Sequence, residues 1–296
     1  LDNKERLEAD AFVEATGSAG PQGNCKKYGN GCAMCVLRCP SWGGRISIAA
    51  KAGVEEMIGR RPDGSIGAMS GSCKLHKDSI DPAIAGELER TGVAVIPIPK
   101  DLVHADKLAI KVCQQYALPA FAENLVLLDT GHVKLMTSYY PLEELRRIPG
   151  MENARYEDPY AGGRGNSIRY LALSPRDDHL KVEGLDNLFC AGEKAGLLVG
   201  HTEAICTGTL AGHNAVRQAM ALPLATIPRT TAVGEAIAYV REQMQTAEGM
   251  TKKYTFSGAA YLERMEMLGT YTTDVTAIRQ RVGSAGFINY FAQIGP

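Results

Sequence analysis

Short apolar runs, each stopped by glycine, proline or a polar turn, alternate along most of this chain with longer stretches whose apolar residues recur every three or four positions. The short runs predict strands at residues 93–98, 125–128, 133–136, 167–173, 180–182 and 188–191. Another lies near the start, where Phe12, Val13 and Ala15 suit a buried strand and Thr16-Gly17 ends it. The periodic stretches predict helices at 46–59, 80–90, 105–116, 141–148 and 203–220. In the first of these, Ile46, Ala49, Ala50, Gly53, Val54 and Met57 share a face. Residues 60–79, with Gly64, Gly67 and Gly71, read as loop. From Thr231 onward the pattern is helical, at 231–243, 259–267, 274–282 and 287–294. Tyr239, Tyr254, Tyr261, Tyr271, Tyr290 and Phe291 are placed to pack those helices on one another. Alternating strands and helices followed by a helical tail make this an α/β chain.

The stretch 187–221 organises the rest. Leu188-Phe189-Cys190-Ala191 reads as a buried strand that Gly192-Glu193 ends, and a loop with Gly196 and Gly200 leads into a helix. Along that helix Ala204, Gly208, Ala211, Ala215 and Ala219 form a stripe of small residues, which lets it lie close against a sheet or a cofactor. A strand, a glycine turn and a helix start together offer a diphosphate backbone N–H groups and the positive end of a helix dipole, with no side chain in the way. An ordinary βα unit carries the same pattern.

Composition narrows the class. With 296 residues the chain can build a large core in one or two domains. A formal charge of −1 gives no overall pull toward nucleic acid or an anionic membrane. No apolar run approaches the roughly 20 residues of a membrane span. The eight cysteines lack the spacing of a secreted disulfide scaffold, which predicts a reducing cytoplasm. Four of them, Cys25, Cys32, Cys35 and Cys39, follow the spacing C-x6-C-x2-C-x3-C-P among Gly29, Gly31, Gly43 and Gly44. Converging thiolates suit an iron–sulfur cluster or zinc. The same set also reads as redox-active thiols, with Cys32 and Cys35 the catalytic pair, or as unliganded structural cysteines. Trp42 shields this segment or belongs to the core, Cys73 reads as a half-buried bystander, and His76 as a surface residue. The turn Gly162-Gly163-Arg164-Gly165 reads as a solvated loop.

The strand and turn from Leu188 to Ala204 resemble the carboxy-terminal flavin motif of FAD enzymes of the glucose-inhibited division protein A family, in which an "LF-AG" strand ends beside the flavin. That family usually has Asp or Gln where this chain has Glu193. Ile148-Pro149-Gly150-Met151-Glu152-Asn153-Ala154 is similar to the family's "IPG-E-A" segment. Ile227-Pro228-Arg229-Thr230-Thr231-Ala232-Val233-Gly234 is similar to the "LPR-TA-G" stretch of its folate-dependent tRNA uridine methyltransferase branch. Leu128-Asp129-Thr130-Gly131 and Tyr140-Pro141-Leu142-Glu143-Glu144-Leu145 also look like that branch, and the resemblance is specific over residues 123–239. Ala15-Thr16-Gly17 resembles the "ATG" strand of two-dinucleotide flavoproteins. A G-x-G-x-x-G fingerprint normally precedes that strand, whereas Gly17, Gly20 and Gly23 are spaced differently.

The resemblance implies a two-dinucleotide-type FAD domain that is incomplete at its N-terminus, with an inserted α/β domain and a C-terminal helical tail. Residues 1–45 hold part of the FAD domain and the cysteine-rich loop, 46–175 the inserted substrate domain, 176–230 the second part of the FAD domain and 231–296 the tail. FAD would rest against Ala15, Thr16, Gly17, Gly192, Gly200, His201, Thr202 and Ala204, with Glu193 accepting a hydrogen bond from its ribityl or pyrophosphate side. One implied function is a cytoplasmic FAD-dependent oxidoreductase whose four cysteines add an iron–sulfur or thiol centre, acting on a small molecule or a redox protein. Another is a tRNA uridine C5 methyltransferase, which needs a cysteine nucleophile from among Cys25, Cys32, Cys35, Cys39 and Cys73; the charge of −1 counts against tRNA. A third is a non-catalytic electron-transfer or assembly subunit. In each case the partners are soluble, and the chain forms a homo-oligomer or joins a second chain that completes the FAD domain.

Overall fold

The computed structural model describes residues 6–17, 47–60, 68–69, 74–108, 118–136, 140–156, 168–169, 172–257 and 259–292. Cys25, Cys32, Cys35, Cys39 and Cys73, Trp42 and the turn at 162–165 lie outside the described residues. In chain order the elements are β1 (Phe12–Glu14), α1 (Ile48–Lys51), β2 (Met57–Ile58), β3 (Ala68–Met69), β4 (Lys74–Leu75), α2 (Pro82–Thr91), β5 (Val93–Pro97), α3 (Ala120–Glu123) and β6 (Asn124–Asp129). There follow β7 (Val133–Leu135), α4 (Leu142–Leu145), β8 (Ile168–Arg169), β9 (Ala172–Leu173), β10 (Leu188–Cys190), α5 (His201–Ala219), α6 (Ala232–Met244), α7 (Ala259–Met267) and α8 (Val275–Ser284).

One lobe is an antiparallel sheet in the order β4-β7-β6-β5. Alternation along β5 and β6 buries Ala94, Leu125 and Leu127 on one face, where they meet Leu88 of α2 and Val133 and Leu135 of β7. Tyr140, Leu145, Ile148, Met151 and Ala154 close the same core, and the Tyr140 hydroxyl donates to the Leu102 carbonyl at 2.9 Å. The segment from Ile148 to Ala154 is a turn folded onto the start of α2: Asp81 N–H donates to the Gly150 carbonyl at 2.9 Å, and a side chain at Gly150 would collide with Ile84. The pairs β2-β9 and β3-β8 are also antiparallel, whereas β1 and β10 form a separate parallel pair.

The tail is built on a capped helix. Thr231 is the N-cap of α6, its hydroxyl accepting from Gly234 N–H at 3.1 Å. A side chain at Gly234 would strike the carbonyls of Ile227 and Pro228, so residues 227–234 are a helix start that folds back over its own approach. Glu235 on α6 is buried and accepts from Arg229 Nε at 2.7 Å and from Arg264 Nε of α7 at 2.8 Å. Tyr239, Tyr254 and Tyr261 pack together as the sequence predicts, and Tyr290 and Phe291 pack against His213. Tyr271 does not take part and is exposed.

The elements depart from the sequence expectations in a few places. The helix expected at 46–59 stops at Lys51. Gly53 takes a positive φ of 92°, and the N–H groups of Gly53 and Val54 return to the carbonyls of Ala50 and Ala49, which is a left-handed helix stop; Met57 and Ile58 then join a strand. In 60–79 the described part holds β3, β4 and a 3-10 turn, Lys77–Ser79. In 105–116 the described part is a 3-10 turn, Ala105–Leu108, and in 287–294 it is a 3-10 turn, Tyr290–Ala292.

Candidate functional site

The parallel pairing of β1 with β10 sets Phe12, Val13 and Glu14 opposite Leu188, Phe189 and Cys190. Because the two strands run the same way, Ala15-Thr16-Gly17 and Ala191-Gly192 leave the sheet at the same end. In open α/β sheets that carboxyl end is where ligands bind. Two segments far apart in sequence, both implied by the resemblance to hold FAD, are thereby brought together. Burial in and just after β1 meets the expectation in part: Phe12 packs partly buried against the core, but Val13 and Ala15 are exposed and Glu14 is fully buried.

The turn after β10 contains three positive-φ glycines, Gly192 at 63°, Gly196 at 148° and Gly200 at 151°. Gly192 N–H donates to Thr207 Oγ1 at 2.8 Å, and Thr207 Oγ1 donates to the Glu203 carbonyl at 2.8 Å, so the strand end is tied to the first turns of α5. A Cβ at Gly192 would lie 3.7 Å from Ala204 Cβ. Gly200 is the N-cap of α5 and contributes no capping side chain. Instead the buried Glu203 carboxylate lies against Gly200, where any side chain at that position would collide with it, and it accepts from Phe256 N–H at 2.6 Å. The start of the helix therefore has a built-in anion, which leaves less of its positive end for a phosphate than the motif alone implies.

Gly200, His201, Thr202 and Ala204 are exposed, and Gly17, Gly192 and Glu193 half-buried, so the predicted FAD residues line an accessible surface. The small-residue stripe of α5 does not pack as expected. Ala211 is buried, but Ala204 and Ala219 are exposed, and a Cβ added at Gly208 or Gly212 meets nothing within 4 Å. The face of α5 that packs inward is instead Glu203, Thr207, Leu210, Ala211, His213 and Asn214. Small residues on an open helix face leave room for a flat group beside the turn, and in this respect the residues fit a flavin.

Beneath the turn lies a cluster of buried charges that the sequence reading passed over. Glu14 Oε1 accepts from Ile48 N–H at 2.9 Å and Thr16 Oγ1 at 3.2 Å, and Glu14 Oε2 from Ala49 N–H at 3.0 Å. Lys194, fully buried in the 3-10 turn Gly192–Ala195, places Nζ 3.1 Å from Ser47 Oγ and 3.9 Å from Glu14 Oε1, and pairs with Glu56, which also accepts from Ser47. A charged residue inside a three-residue apolar strand was the available signal. A second missed residue is Arg176. Fully buried, it donates from Nε to the Ala195 carbonyl at 2.9 Å and from one terminal nitrogen to the Ile237 carbonyl at 2.8 Å, joining the turn to α6.

Glu56 also borders a cavity of about 560 Å³ lined by Glu55, Met57, Arg60, Pro175, Glu183 and Met250. Its three carboxylates against one guanidinium make it a poor place for a diphosphate. Of the cysteines, burial pushes the Cys190 thiol up to about 12, and burial together with Glu203 raises Cys206, so neither is an activated nucleophile. Among the described residues no group of three or more His, Cys, Asp or Glu side chains is arranged to hold a metal ion. Among them, too, no helix is long and apolar enough to cross a membrane.

The family model for glucose inhibited division protein A matches residues 122–223, which contain β6 through α5 and the whole turn. Over that region this chain is related to the glucose-inhibited division protein A family. The methylenetetrahydrofolate–tRNA-(uracil-5-)-methyltransferase TrmFO of Dinoroseobacter shibae is 35% identical over 98 residues, 33% of this chain and 21% of that protein. The protein of the same name from Caldicellulosiruptor bescii is 31% identical over 112 residues, 37% of this chain and 24% of that protein. The matched stretch thus spans between a fifth and a quarter of these relatives' length. Among solved structures, Aquifex aeolicus GidA in its form II crystal aligns over 93% of this chain and 52% of its own, at 16% identity and a TM-score of 0.49.

Proposed function

We propose that this chain contributes the carboxy-terminal part of an FAD site to an enzyme that modifies a tRNA uridine at C5, using methylenetetrahydrofolate as the one-carbon donor. The observation that carries this reading is the parallel β1-β10 pair, which brings Ala15–Gly17 to the same end of one sheet as the turn at 192–204, a turn that lies within the residues 122–223 matched by the family model. In this reading Gly17, Gly192 and Gly200 give the cofactor close backbone approach. Thr16, Glu193, His201 and Thr202 offer polar contacts, and Ala204 with Gly208 leaves the helix face flat. Bound FAD, once reduced, would supply the electrons that turn a methylene unit into a methyl group. The rest of the FAD domain would meet the outer face of α5 and the edge of β1 that pairs with no strand among the described residues, supplied by a second chain or by further sequence. A tRNA substrate would place the enzyme in the cytoplasm.

The chemistry also needs a nucleophile at uridine C6. Burial and their raised thiols count against Cys190 and Cys206, which leaves Cys113 together with Cys25, Cys32, Cys35, Cys39 and Cys73, the five that the sequence reading names. A second reading, an FAD-dependent oxidoreductase with an iron–sulfur or thiol centre at the four cysteines, is favoured by their spacing. Two measurements decide between them. An absorbance spectrum with metal and sulfide analysis of the pure protein tests for flavin and for a cluster. Incubation with reduced nicotinamide, methylenetetrahydrofolate and a tRNA transcript tests for C5 methylation. Flavin and methylated uridine support the first reading; flavin with iron and sulfide but unmodified tRNA supports the second. A protein that carries no flavin and takes none up, alone or once the FAD domain is completed, overturns both.

A further inference from the structure

The start of α5 holds a carboxylate of its own. Glu203 is the third residue of the helix and is only 3% exposed. Its side chain turns back onto the N-cap, Gly200, where a Cβ would collide with Glu203 Oε2. The tail grips the other oxygen. Val199 N–H donates to the Tyr254 carbonyl at 3.0 Å and Tyr254 N–H to the Leu197 carbonyl at 2.9 Å, so residues 254–256 run along the loop before the helix. Phe256 N–H extends that ladder to Glu203 Oε1 at 2.6 Å. Tyr254 is fully buried and anchors the segment. The carboxylate is therefore fixed at the helix start and cannot swing into solvent without undoing this contact. His201 and Thr202 are exposed, and among the described residues no acceptor meets the N–H groups of residues 201–203. A bare helix start of this kind draws phosphate through those N–H groups and its dipole. A carboxylate held at the N-cap already supplies the anion, and a phosphate arriving beside it meets like charge.

We infer that Glu203 is a specificity-determining residue of the cofactor turn: its carboxylate, gripped by the tail, makes the start of α5 refuse a phosphate and face an uncharged part of the cofactor. This rests on the reading that the turn holds FAD. It places the pyrophosphate away from the start of α5, and it gives the helical tail a part in the site, because residues 254–256 hold the carboxylate. It also explains why a buried glutamate stands at the head of a helix whose glycine turn otherwise suits a diphosphate.

The test uses the purified full chain as wild type, as Glu203→Gln, which keeps an oxygen for Phe256 N–H, and as Glu203→Asp, which keeps the charge. Glu235→Gln, which removes a buried carboxylate elsewhere, is the control. With flavin stripped, inorganic phosphate is titrated at constant ionic strength and its affinity read from the rise in melting temperature. Glu203→Gln should bind phosphate about tenfold more tightly than the wild type, while Glu203→Asp and Glu235→Gln stay at the wild-type level. A merely structural Glu203 gives the opposite sign, weaker binding at a damaged helix start. Unchanged or weaker binding in Glu203→Gln overturns the inference, and so does equal tightening in Glu203→Asp or Glu235→Gln. With FAD, Glu203→Gln should bind within about threefold of the wild type but show a higher reduction potential, because a carboxylate beside the ring disfavours the added electrons. Much tighter FAD binding with an unmoved potential would put the pyrophosphate at the helix start and overturn the assignment. If Glu203→Gln does not fold, Glu203→Ala is the second neutral variant for both titrations. Failure of every protein to take up FAD, alone or once the FAD domain is completed, would sink the functional reading, yet the phosphate titration would still decide whether Glu203 closes the helix start to anions.

Discussion

The antiparallel lobe and the parallel β1-β10 pair solve the same problem, burying apolar strands, in opposite ways. In the lobe, neighbours in space are largely neighbours in sequence: α2 runs into β5, β6 turns into β7, and the cross-strand contacts Ala94–Leu127 and Leu127–Leu135 close one core. The pair joins residues 12–14 to residues 188–190, needs buried ions beneath it, and leaves one side of α5 uncovered, with Ile205 68% and Val216 42% exposed. The lobe is finished by its own residues. The pair is finished on its inner side by the tail and on its outer side by nothing among the described residues. A region that completes its own packing works as a scaffold, whereas one that leaves a smooth face beside a glycine turn has a surface to offer.

The sharpest way to break this contrast is in the lobe. Leu127 is fully buried in β6, an inner strand of its sheet. Leu127→Ala should cost on the order of 2–5 kcal/mol, from lost transfer energy and the cavity left behind. If the lobe is only a scaffold, flavin bound per folded molecule should stay at the wild-type level, measured by denaturant unfolding alongside the flavin spectrum. Equal loss of flavin from the still-folded fraction would mean that the two regions are not separable.

A smaller effect of opposite sign is expected on the open face of α5. Beyond its own stretch of helix backbone, a Cβ placed at Gly208 meets nothing within 4 Å, so Gly208→Ala should stabilise the chain by up to about 1 kcal/mol through helix propensity. Gly208→Leu should leave folding intact but lower flavin content, because the larger side chain fills the space in front of the turn. A destabilised Gly208→Ala would mean that the face is packed after all. Stable, flavin-replete protein from both variants would mean that the face has no ligand.

The contrast also explains which parts of the structure the sequence made legible. Alternation in Val93-Ala94-Val95-Ile96 and the Asp129-Thr130-Gly131 turn carry their own folding instructions, so β5, β6 and β7 were readable, whereas the two-residue β4, too short to show alternation, reads as loop. The motif from Leu188 to Ala204 was readable because its glycines sit where the turn needs positive φ. The stop at Gly53 was read as helix interior, because a glycine in a small-residue stripe and a glycine past a helix end look alike in sequence. Glu14 and Lys194 were missed because their meaning depends on each other and on Ser47 and Glu56, residues that only the folded chain brings together. The open face of α5 was misjudged for the same reason: small residues are compatible with close packing but do not cause it.

The smallest effect concerns the covered side of α5, where the tail does the covering. His213 projects from the inner face of α5 onto Phe291 and Tyr290, with ring centroids 5.2 and 5.6 Å away, and its Nε2 is buried without a hydrogen-bond partner. Burial first, and then the positive charge of Arg217, hold its pKa below the ordinary 6.5. The unfolded chain therefore binds a proton more readily than the folded one in the window below 6.5. Stability gained from the neutral ring is present above that window and is lost as the pH falls through it. Melting temperature should decline between about pH 7.5 and pH 5.5, and His213→Phe, which keeps an aromatic ring among aromatic neighbours, should flatten that part of the curve. The loss should appear first in the tail, as faster proteolysis near residues 287–292 while the lobe stays protected. A decline of equal slope in His213→Phe would assign it to other groups and leave the aromatic cover of α5 indifferent to pH.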